Sequence, residues 1–328
     1  MTPMTTTVEE RAWTRAAVTG GAGFVGRNLI TRLLAEGLTV RSVDNREGEP
    51  RPGVETVAAD LRDPEQAAAA LADVDVVFHL AGNPSGTVSV ENPRYDFDSN
   101  ALVGLNVLEA VRGKPGTRLL YLSSAMVYGK PDTAPCREDD ECRPFYPYGA
   151  SKLAVEHYVA AYVAAYGVDA SCARAFVVYG PGEDPSRAGA EPGQFLRWHL
   201  NGMPLRMVGS PDVKRRDFVH VDDLASGLVL AARRGTPGVV YNVGSGTDTS
   251  LRELVSVIET ATGRPARTAV DDSDLTDSYP LVADISRLRA LGYTPRVTLA
   301  EGIARLAEEL GSTPAPPTLA TVLSATSR

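Results

Sequence analysis

The stretch AVTGGAGFVGRNLI, residues 17–30, carries four glycines within seven residues, between an apolar run and an amphipathic run. Glycine destabilises the interiors of strands and helices, so this density requires a physical reason. With glycines at 20, 23 and 26, the first permits a tight turn, the second the approach of a phosphate, and the third the packing of a helix on a strand. The helix N-terminus then offers N–H groups to a pyrophosphate. The stretch predicts a dinucleotide-binding strand–turn–helix unit, with a plain glycine loop as the alternative.

The alternation of strands and helices continues outward from this stretch. Short apolar runs rich in β-branched residues alternate with helical patterns such as FVGRNLITRLLAEG. Most of the runs lack polar/apolar alternation, as expected when both faces of a parallel sheet are buried. We expect an α/β fold, a doubly wound parallel sheet of the Rossmann type, with a smaller C-terminal α/β substrate domain. The predicted strands are RAAVTG, TVRSVD, VETVAAD, DVVFHLA, RLLYLSSA, ASCARAFVVYG and VVYNVG.

Changes in composition divide the chain into two domains and a tail. The NAD-binding domain is predicted to span residues 15–182, with a returning segment at about 214–245. The Gly/Pro-rich loops and short helices of residues 183–213 and 246–311 predict the substrate-binding domain. Residues 312–328 are rich in Pro, Thr, Ser and Ala and predict a disordered tail.

Composition argues against several functional classes. The chain has 328 residues, a net charge of −8 and a pI of about 5.2, so we expect no nucleic-acid partner. No apolar run approaches the ~18 residues of a membrane span, and the N-terminus does not resemble a secretory signal. The three cysteines lack ligand-like spacing and the four histidines lie far apart, which predicts free thiols, no metal and a cytoplasmic location.

Acidic residues follow the second and third predicted strands. The second strand ends at Asp44, whose carboxylate would accept hydrogen bonds from an adenosine ribose and repel a 2′-phosphate, which favours NAD over NADP. Arg46 leaves pairing with a 2′-phosphate open. The third strand ends in AADLRD, where Asp60 and Leu61 would read an adenine edge. Alternatively, Asp60 is the N-cap of the helix that follows at Pro64.

Three later residues predict the reacting centre. Tyr148 and Lys152, in PYGASK, are four residues apart on a predicted helix, so their side chains share one face. An ammonium beside a phenol favours the phenolate, and we expect Lys152 to lower the pKa of Tyr148. Ser124 ends the fifth strand, at the edge where open α/β sheets bind ligands. Together they suit hydride transfer between a secondary alcohol and NAD, whereas each alone also fits a surface pair or a strand-end hydroxyl.

With these residues in place, the chain resembles the extended short-chain dehydrogenases/reductases, in the NAD-dependent nucleotide-sugar epimerase/dehydratase group. The resemblance runs from about residue 15 to 310, through TGGAGFVG, AADLRD, HLAG, SSAMVYG, PYGASK, VYGPG and RRDFVHVDD. It implies that the catalytic residues are Ser124, Tyr148 and Lys152. It also implies bound NAD, contacted by Gly20, Gly23, Phe24, Val25, Gly26, Asp44, Asn45, Asp60, Leu61, Leu80, Ala81, Gly82, Asn100, Tyr148 and Lys152.

The reaction that the resemblance implies is a 4-epimerisation. NAD would oxidise a nucleotide-diphosphate sugar to a transient 4-keto sugar, and hydride return to the opposite face would give the epimer. The dehydratases of the group carry Asp-Glu after the catalytic hydroxyl, where this chain has Ala125 and Met126, which cannot exchange protons. A reductase, oxidase or dehydratase that releases a keto- or deoxy-sugar is the alternative, and a non-catalytic NAD-sensing protein is a third hypothesis.

The substrate diphosphate is assigned to a basic cluster. Arg216, in RRDFVHVDD, matches a position that contacts the diphosphate in this family, and Lys214 and Arg215 precede it. Such a cluster in an acidic protein suits a pyrophosphate. The alternative is a solvated loop paired with Asp217 and Asp222.

Contacts to the sugar and to a partner subunit are the remaining predictions. The candidates to meet sugar hydroxyls follow HLAG and are Asn83, Ser85 and Thr87. Val177 stands where many relatives have an Asn that holds the substrate. The resemblance further implies a homodimer, packed through helices at about 95–112 and 149–166.

Overall fold

Strands and helices alternate along the chain, as the apolar runs predict. The computed structural model describes residues 11–46, 48, 50–185, 190–271, 278–312 and 314–316. Its strands are β1 (Arg15–Thr19), β2 (Thr39–Asp44), β3 (Val54–Ala58), β4 (Val76–His79), β5 (Arg118–Ser124), β6 (Ala170–Ala175), β7 (Val177–Tyr179), β8 (Leu205–Val208), β9 (Arg215–Arg216), β10 (Phe218–His220), β11 (Val240–Val243), β12 (Thr249–Ser250), β13 (Thr268–Asp271) and β14 (Pro280–Leu281). Its α-helices are α1 (Phe24–Ala35), α2 (Pro64–Ala70), α3 (Gly86–Glu91), α4 (Pro93–Phe97), α5 (Val103–Arg112), α6 (Pro147–Tyr166), α7 (Glu191–Leu200), α8 (Val221–Arg234), α9 (Leu251–Thr262), α10 (Ser286–Arg289) and α11 (Leu299–Leu310).

Seven strands form the central sheet, in the order β11-β6-β5-β4-β1-β2-β3. Every neighbouring pair in it is parallel. Strands β1, β4 and β5 are almost entirely buried, which explains their continuous apolar sequences. The chain leaves β1 for β2 on one side and places β4 on the other, so a crevice opens at the carboxyl ends of β1 and β4. The predicted doubly wound fold is confirmed.

Helices cover both faces of this sheet. On one face, Leu33 of α1 and Leu228 of α8 are fully buried in a common hydrophobic cluster. On the other face, Val107 of α5 and Val155 of α6 belong to a second cluster. Burial of each such side chain contributes roughly 1.5–3 kcal/mol. The packing fixes α1 and α6, whose first turns carry predicted cofactor and catalytic residues.

A third hydrophobic cluster lies beyond the sheet. Helices α7, α9 and α11 contribute Trp198, Leu254 and Ile303 to it, and these segments were predicted to form the substrate-binding domain. Leu281 and Tyr293, from the same predicted ranges, pack instead in the cluster of the central sheet. The two-domain division therefore stays a prediction, and the segment after residue 278 contacts the sheet's core.

The first turn of α2 shows which residue is its N-cap. The helix begins at Pro64, and the carboxylate of Asp63 accepts the N–H groups of Glu65 and Gln66 at 2.8 and 3.2 Å. Asp63 is therefore the N-cap. The alternative that Asp60 caps this helix is wrong.

The beginning of the predicted tail is held by α7 and the residue after it. The carbonyl of Ala315 accepts a hydrogen bond from Arg197 at 3.3 Å, and that of Pro314 accepts one from Asn201 at 2.8 Å. Residue 313 and residues 317–328 lie outside the described residues, so the predicted disorder is not tested there.

The outer edge of the sheet at β11 is covered by a neighbouring segment. The carboxylate of Glu138 accepts the backbone N–H of Asn242 at 2.9 Å. The side-chain amide of Asn242 donates to the carbonyls of Cys136 and Asp284 at 2.9 and 3.1 Å. Residues 136–138 therefore lie along the last strand of the sheet.

Three further observations concern membrane-spanning helices, metal sites and thiols. Among the described residues, no helix has the length and apolar character needed to cross a membrane. Within the same ranges, no group of three His, Cys, Asp or Glu side chains is placed to hold a metal ion. The thiols of Cys136, Cys142 and Cys172 are free.

Candidate active site

The glycine turn after β1 leaves a helix N-terminus open. Gly20 has φ +69°, and its N–H donates to the carbonyl of Val43 at 2.8 Å. A Cβ on Gly26 would lie 2.2 Å from the carbonyl oxygen of Gly20, so only glycine lets α1 begin this close to β1. The N-cap, Gly23, has no side chain, and the first turn of α1, which contains Phe24 and Val25, has no acidic residue. An anion can therefore approach the N–H groups of this turn.

Asp44 stands beside this turn, at the carboxyl end of β2. Its carboxylate accepts the N–H of Ala22 at 3.2 Å, which joins it to the glycine turn. The Arg46 guanidinium lies 3.6 Å from the same carboxylate, and the Asp44 side chain is 10% exposed. Asn45 is exposed next to it. An acidic group thus stands at the strand end where a ribose is expected, and Arg46 is paired with it.

The loop after β3 carries Asp60 and Leu61. Hydrogen bonds from Arg62, the shortest at 2.6 Å, lower the pKa of Asp60. Leu61 is buried, and its carbonyl accepts the side-chain amide of Asn106 in α5 at 2.9 Å. Asn106, which also binds the next carbonyl, holds this loop and was not identified from the sequence.

Thr19 organises the end of β4. Its hydroxyl oxygen accepts the N–H groups of Leu80 and Ala81 at 3.1 Å each and lies 2.8 Å from Nδ1 of His79. We assign the Thr19 proton to His79 Nδ1, because the oxygen already accepts twice, and this leaves the ring proton on Nε2. Burial lowers the pKa of His79 to about 3, so the ring is neutral. His79 therefore supports the loop that leads to Gly82 and is not a proton donor.

The three predicted catalytic side chains meet at the carboxyl edge of the sheet. Ser124 ends β5, and its hydroxyl forms a hydrogen bond with the phenol of Tyr148, in the first turn of α6. Lys152 follows one turn later, with Nζ 5.9 Å from the centre of the Tyr148 ring. Lys152 Nζ also donates to the carbonyl of Leu122 at 3.1 Å, which holds the ammonium against β5. This is the arrangement that the sequence predicts.

The ionisation of this centre differs from the prediction. Burial raises the pKa of Tyr148, the hydrogen bond from Ser124 opposes the rise, and Asp96 adds to it. The pKa of Tyr148 is therefore raised, and not lowered as predicted, because desolvation of the phenolate dominates. Burial also lowers the pKa of Lys152 to about 8, although Asp96 and Glu156 favour its charged form.

Asn100 lies in a π-helical turn, Asp98–Leu102, between α4 and α5. Such turns are frequent at functional sites because they displace a side chain from the regular helix path. Its Nδ2 lies 3.0 Å from the carboxylate of Asp96 and 3.0 Å from the hydroxyl of Ser151. Its Oδ1 faces Gly82, where an added Cβ would lie 2.2 Å away. The sequence pointed to Asn100 but not to Asp96 or Ser151, whose only signals are spacings of four and three residues from Asn100 and Tyr148.

Two of the three candidates for sugar contacts, Ser85 and Thr87, lie at the start of α3. Ser85 is buried, and its Oγ accepts the N–H of Val88 at 3.2 Å as the N-cap of the helix. Thr87 lies in the first turn and is partly buried. The Ser85 hydroxyl thus has a structural role as an acceptor, and its proton and second lone pair remain to bind a ligand.

The predicted basic cluster does not form as a unit. Arg215 pairs with Asp248 at 2.5 Å, on the exposed side of β9. Arg216 is buried, donates to the carbonyl of Tyr279 at 2.6 Å and lies 4.6 Å from the centre of the Tyr279 ring. Successive residues of a strand point to opposite faces, so adjacent arginines cannot share one anion here. Arg215 therefore lies apart from Arg216, and the diphosphate contact of Arg216 stays a prediction.

The alternative that the basic segment is a solvated loop paired with Asp217 and Asp222 is also wrong. Asp217 is fully buried and accepts the N–H groups of Ser245 and Gly246 at 2.6 and 2.8 Å. Asp222 accompanies His220 at the start of α8. Asp217 thus holds the loop after β11, and Asp222 belongs to a helix N-terminus.

Comparison with known proteins identifies the family. A model described as the NAD dependent epimerase/dehydratase family matches residues 16–244. The chain belongs to this family. This epimerase/dehydratase is 35% identical over 307 residues to a UDP-glucose 4-epimerase of Mycolicibacterium smegmatis, covering 90% of this chain and 97% of that protein. The resemblance seen in the motifs is confirmed.

Solved structures agree with this assignment. A Thermus thermophilus UDP-glucose 4-epimerase in complex with NAD has a TM-score of 0.81 at 34% identity, covering 89% of this chain and 97% of its own. A Bacillus cereus UDP-glucuronic acid 4-epimerase, in complex with UDP-glucuronic acid and NAD, has a TM-score of 0.80 at 27% identity, covering 89% and 98%. The epimerase/dehydratase fold is thus shared over almost the whole chain.

The residues of this family member fit NAD. The glycine turn has the bare Cα atoms and open helix N-terminus that a pyrophosphate requires, and the carboxylate of Asp44 at the end of β2 would be the acceptor for a ribose. The buried Oδ1 of Asn100, which has no hydrogen-bond partner among the described residues, faces the end of β4. NAD is the cofactor of this family.

Proposed function

We propose that this protein is an NAD-dependent nucleotide-sugar 4-epimerase. The observation that supports it is the meeting of Ser124, Tyr148 and Lys152 at the carboxyl edge of the sheet, the same edge that carries the glycine turn after β1. The names of the relatives support the same reaction, since they are 4-epimerases of UDP-glucose and UDP-glucuronate. We infer a UDP-hexose or UDP-hexuronate as the substrate class.

The side chains of the centre have separate roles in this proposal. Tyr148 exchanges the proton of the C4 hydroxyl, and Ser124 holds that oxygen while its hydrogen bond opposes the effect of burial on the phenol. Lys152 places its ammonium group near the Tyr148 ring. NAD, when bound, supplies the chemistry of taking up and returning the C4 hydride. Return on the opposite face of the sugar gives the epimer.

Two neighbouring residues favour an epimerase over a dehydratase. Ala125 and Met126 follow Ser124 in a short 3₁₀ turn, and neither has a group that exchanges protons. Loss of water from a keto sugar requires an acid and a base beside the reacting carbons. The residues directly after Ser124 therefore supply neither of these.

The test is an isomerisation assay without added cofactor. The purified protein is incubated with UDP-glucose and, separately, with UDP-glucuronate, and the sugar is analysed by NMR while absorbance at 340 nm is followed. We expect the C4 epimer of at least one substrate and no change in absorbance. Net formation of NADH, or a keto sugar as the product, would reject the epimerase in favour of an oxidase or dehydratase.

A matched pair of variants assigns the activity to the site. Tyr148→Phe removes only the phenol hydroxyl and should lower kcat by about 10²–10⁴, the usual range for loss of a general acid–base group. Tyr158→Phe, on the exposed part of the same helix, is the control. A Tyr148→Phe enzyme as active as the control would disprove the role of the phenol, and unchanged NAD binding in both excludes misfolding.

We further propose that the enzyme is a cytoplasmic homodimer. Large apolar side chains stand exposed on adjacent helices: Phe97 of α4 is 54% exposed, and Tyr158 and Tyr166 of α6 are 45% and 58% exposed. A second copy packed on this face would bury them. Sedimentation should give twice the monomer mass for the wild type and the monomer for Tyr158→Glu, with Val213→Glu, also on an exposed position, as the control. A monomeric wild type would reject the proposal.

A further inference from the structure

The carboxylate of Asp96 is buried near the reacting centre, and the proposed reaction gives it no role. Asp96, in α4, is 1% exposed, and its Oδ1 accepts the side-chain amides of Asn83 and Asn100 at 2.8 and 3.0 Å. Its Oδ2 is buried and has no hydrogen-bond partner within the described residues. Withdrawing a carboxylate from water without an ion-pair partner is costly. Packing alone therefore does not explain an acid at this position.

The amide of Asn100 connects Asp96 with the helix that carries Tyr148. Asn100 Nδ2 donates to Asp96 and to the hydroxyl of Ser151, both at 3.0 Å. The Ser151 hydroxyl in turn donates to the backbone carbonyl of Tyr148 at 3.0 Å. Three consecutive hydrogen bonds thus run from Asp96 to the first turn of α6.

These contacts also fix the direction of the Asn100 amide. Because the nitrogen is held by acceptors, Oδ1 must face the opposite way, against Gly82 at the end of β4. An asparagine at position 96 has one acceptor oxygen and one N–H₂ group. If the oxygen takes the place of Oδ1, the N–H₂ group is buried where Oδ2 has no hydrogen-bond partner, and if the amide is turned over, donors face the amides of Asn83 and Asn100. Either orientation disturbs the hydrogen bonds that fix Asn100. Asn83 binds the same Oδ1 and ties the loop after β4 to this point.

The charge of Asp96 reaches the reacting centre as well. Asp96 raises the pKa of both Tyr148 and Lys152. A higher pKa opposes formation of the Tyr148 phenolate, so the charge does not explain why an acid assists this base. The other titratable groups facing Lys152 come from three elements and are Glu156 of α6, Tyr121 of β5 and the neutral His79 of β4.

We propose that Asp96 is a positioning residue for the reaction: through Asn100 and Ser151 it holds the first turn of α6, and with it the phenol of Tyr148, in place against Ser124. The inference rests on the proposed epimerase function for its kinetic consequence. The hydrogen-bonded chain itself can be tested without substrate.

The decisive variant is Asp96→Asn, compared with Asp223→Asn. Asp223 is also buried and accepts two backbone N–H groups, from Arg296 and Val297 at 2.9 Å each, but it lies in α8, outside the site. Both substitutions remove one buried charge. We expect kcat of Asp96→Asn to fall by about 100-fold, as for an ångström-scale misplacement of a reacting group, with KM little changed. Asp223→Asn should keep the wild-type kcat.

A second readout separates positioning from loss of stability. Removing the negative charge lowers the pKa of both Tyr148 and Lys152, so the pH profile of kcat should move to lower pH in Asp96→Asn. Ser151→Ala removes the hydroxyl that links Asn100 to the Tyr148 carbonyl but keeps the charge of Asp96. It should therefore reproduce the loss of kcat without moving the pH profile of kcat. It also serves as the test if Asp96→Asn does not fold.

A titration without substrate makes the failures distinguishable. The ionisation of Tyr148 is followed as the ultraviolet difference between a protein and its Tyr148→Phe form, and Asp96→Asn should move it to lower pH. If Asp96→Asn and Ser151→Ala keep the wild-type kcat, the inference is overturned. If the wild type epimerises no nucleotide sugar, the proposed function fails, and the inference is then judged from the crystal structure of Ser151→Ala without substrate: a Tyr148 phenol still hydrogen-bonded to Ser124 as in the wild type would overturn it.

Discussion

The carboxylate of Glu156 pairs with the guanidinium of Arg174 at 2.7 Å in the protein interior, where their side chains are 4% and 5% exposed. Glu156 also accepts the hydroxyl proton of Ser123 at 2.5 Å. The pair joins α6 to β5 and β6, one helical turn beyond Lys152. The helix that carries the reacting phenol is therefore fixed to the sheet by a buried charge pair as well as by apolar packing.

Breaking this pair from one side should be costly. Arg174→Met leaves the Glu156 carboxylate buried and unpaired, and the free energy of unfolding should fall by about 3–5 kcal/mol in urea denaturation. Arg252→Met is the control, because Arg252 and Asp212 form an exposed pair, 64% and 59% exposed, worth at most about 1 kcal/mol. The double variant Glu156→Leu/Arg174→Met should recover much of the loss. Equal losses for the buried and exposed pairs would contradict this account.

The glycine turn should tolerate no side chain at position 26. A methyl group on Gly26 would lie 2.2 Å from the carbonyl of Gly20, so α1 must move away from β1 in Gly26→Ala. We expect lower thermal stability and loss of NAD binding, measured by calorimetry. Gly113→Ala is the matched control, because Gly113 has φ −70° and an added Cβ would lie at ordinary contact distances of 3.8 Å or more. Wild-type NAD affinity in Gly26→Ala would show that the turn is not the pyrophosphate site.

The choice between NAD and NADP should depend on Asp44. Asp44→Ser removes the carboxylate that would repel a 2′-phosphate and releases Arg46, which now lies 3.6 Å from it. The ratio of NADP to NAD affinity should rise at least about tenfold, which corresponds to about 1.4 kcal/mol. Adding Arg46→Ala should reverse part of the gain. An unchanged ratio in Asp44→Ser would place the ribose elsewhere.

Lys152 should make stability depend on pH in the alkaline range. Its pKa is lowered from 10.5 to about 8 by burial, so the unfolded chain binds more protons than the folded chain between these values. Stability therefore rises as pH rises from about 8 to 10.5, and the charged lysine destabilises the fold below pH 8. Lys152→Met should be inactive and more stable than the wild type at pH 7, by at most roughly 3 kcal/mol. Lys130→Met, at an exposed position, is the control, and a less stable Lys152→Met would contradict the sign.

Local signals were sufficient to predict the frame of the site. Asp44 and Ser124 stand at the ends of β2 and β5 as expected, because a buried parallel strand is a continuous apolar run whose end is visible in the sequence. Tyr148 and Lys152 share one face of α6 because helical spacing is fixed by geometry. These predictions needed no knowledge of which segments touch.

Features that depend on several distant segments were not predicted. The link from Asp96 through Asn100 to Ser151 needs a π-helical turn and the contact of α4 with α6, and neither leaves a local pattern. The direction of the Tyr148 pKa shift was wrong because burial is a property of the folded chain. The separation of Arg215 from Arg216 was not predicted, because it follows from their being neighbours in a strand, where successive side chains face opposite ways.

The cover over β11 has a consequence for behaviour at high concentration. A terminal strand with free N–H and C=O groups is a template on which another chain can add a strand, and such additions lead to fibrous aggregates. Here the carboxylate of Glu138 accepts the backbone N–H of Asn242, and the guanidinium of Arg287 donates to the carbonyl of Val240 at 3.0 Å, so a docking strand would first have to displace both side chains. The β11 edge is therefore protected against the addition of strands from other copies of the protein.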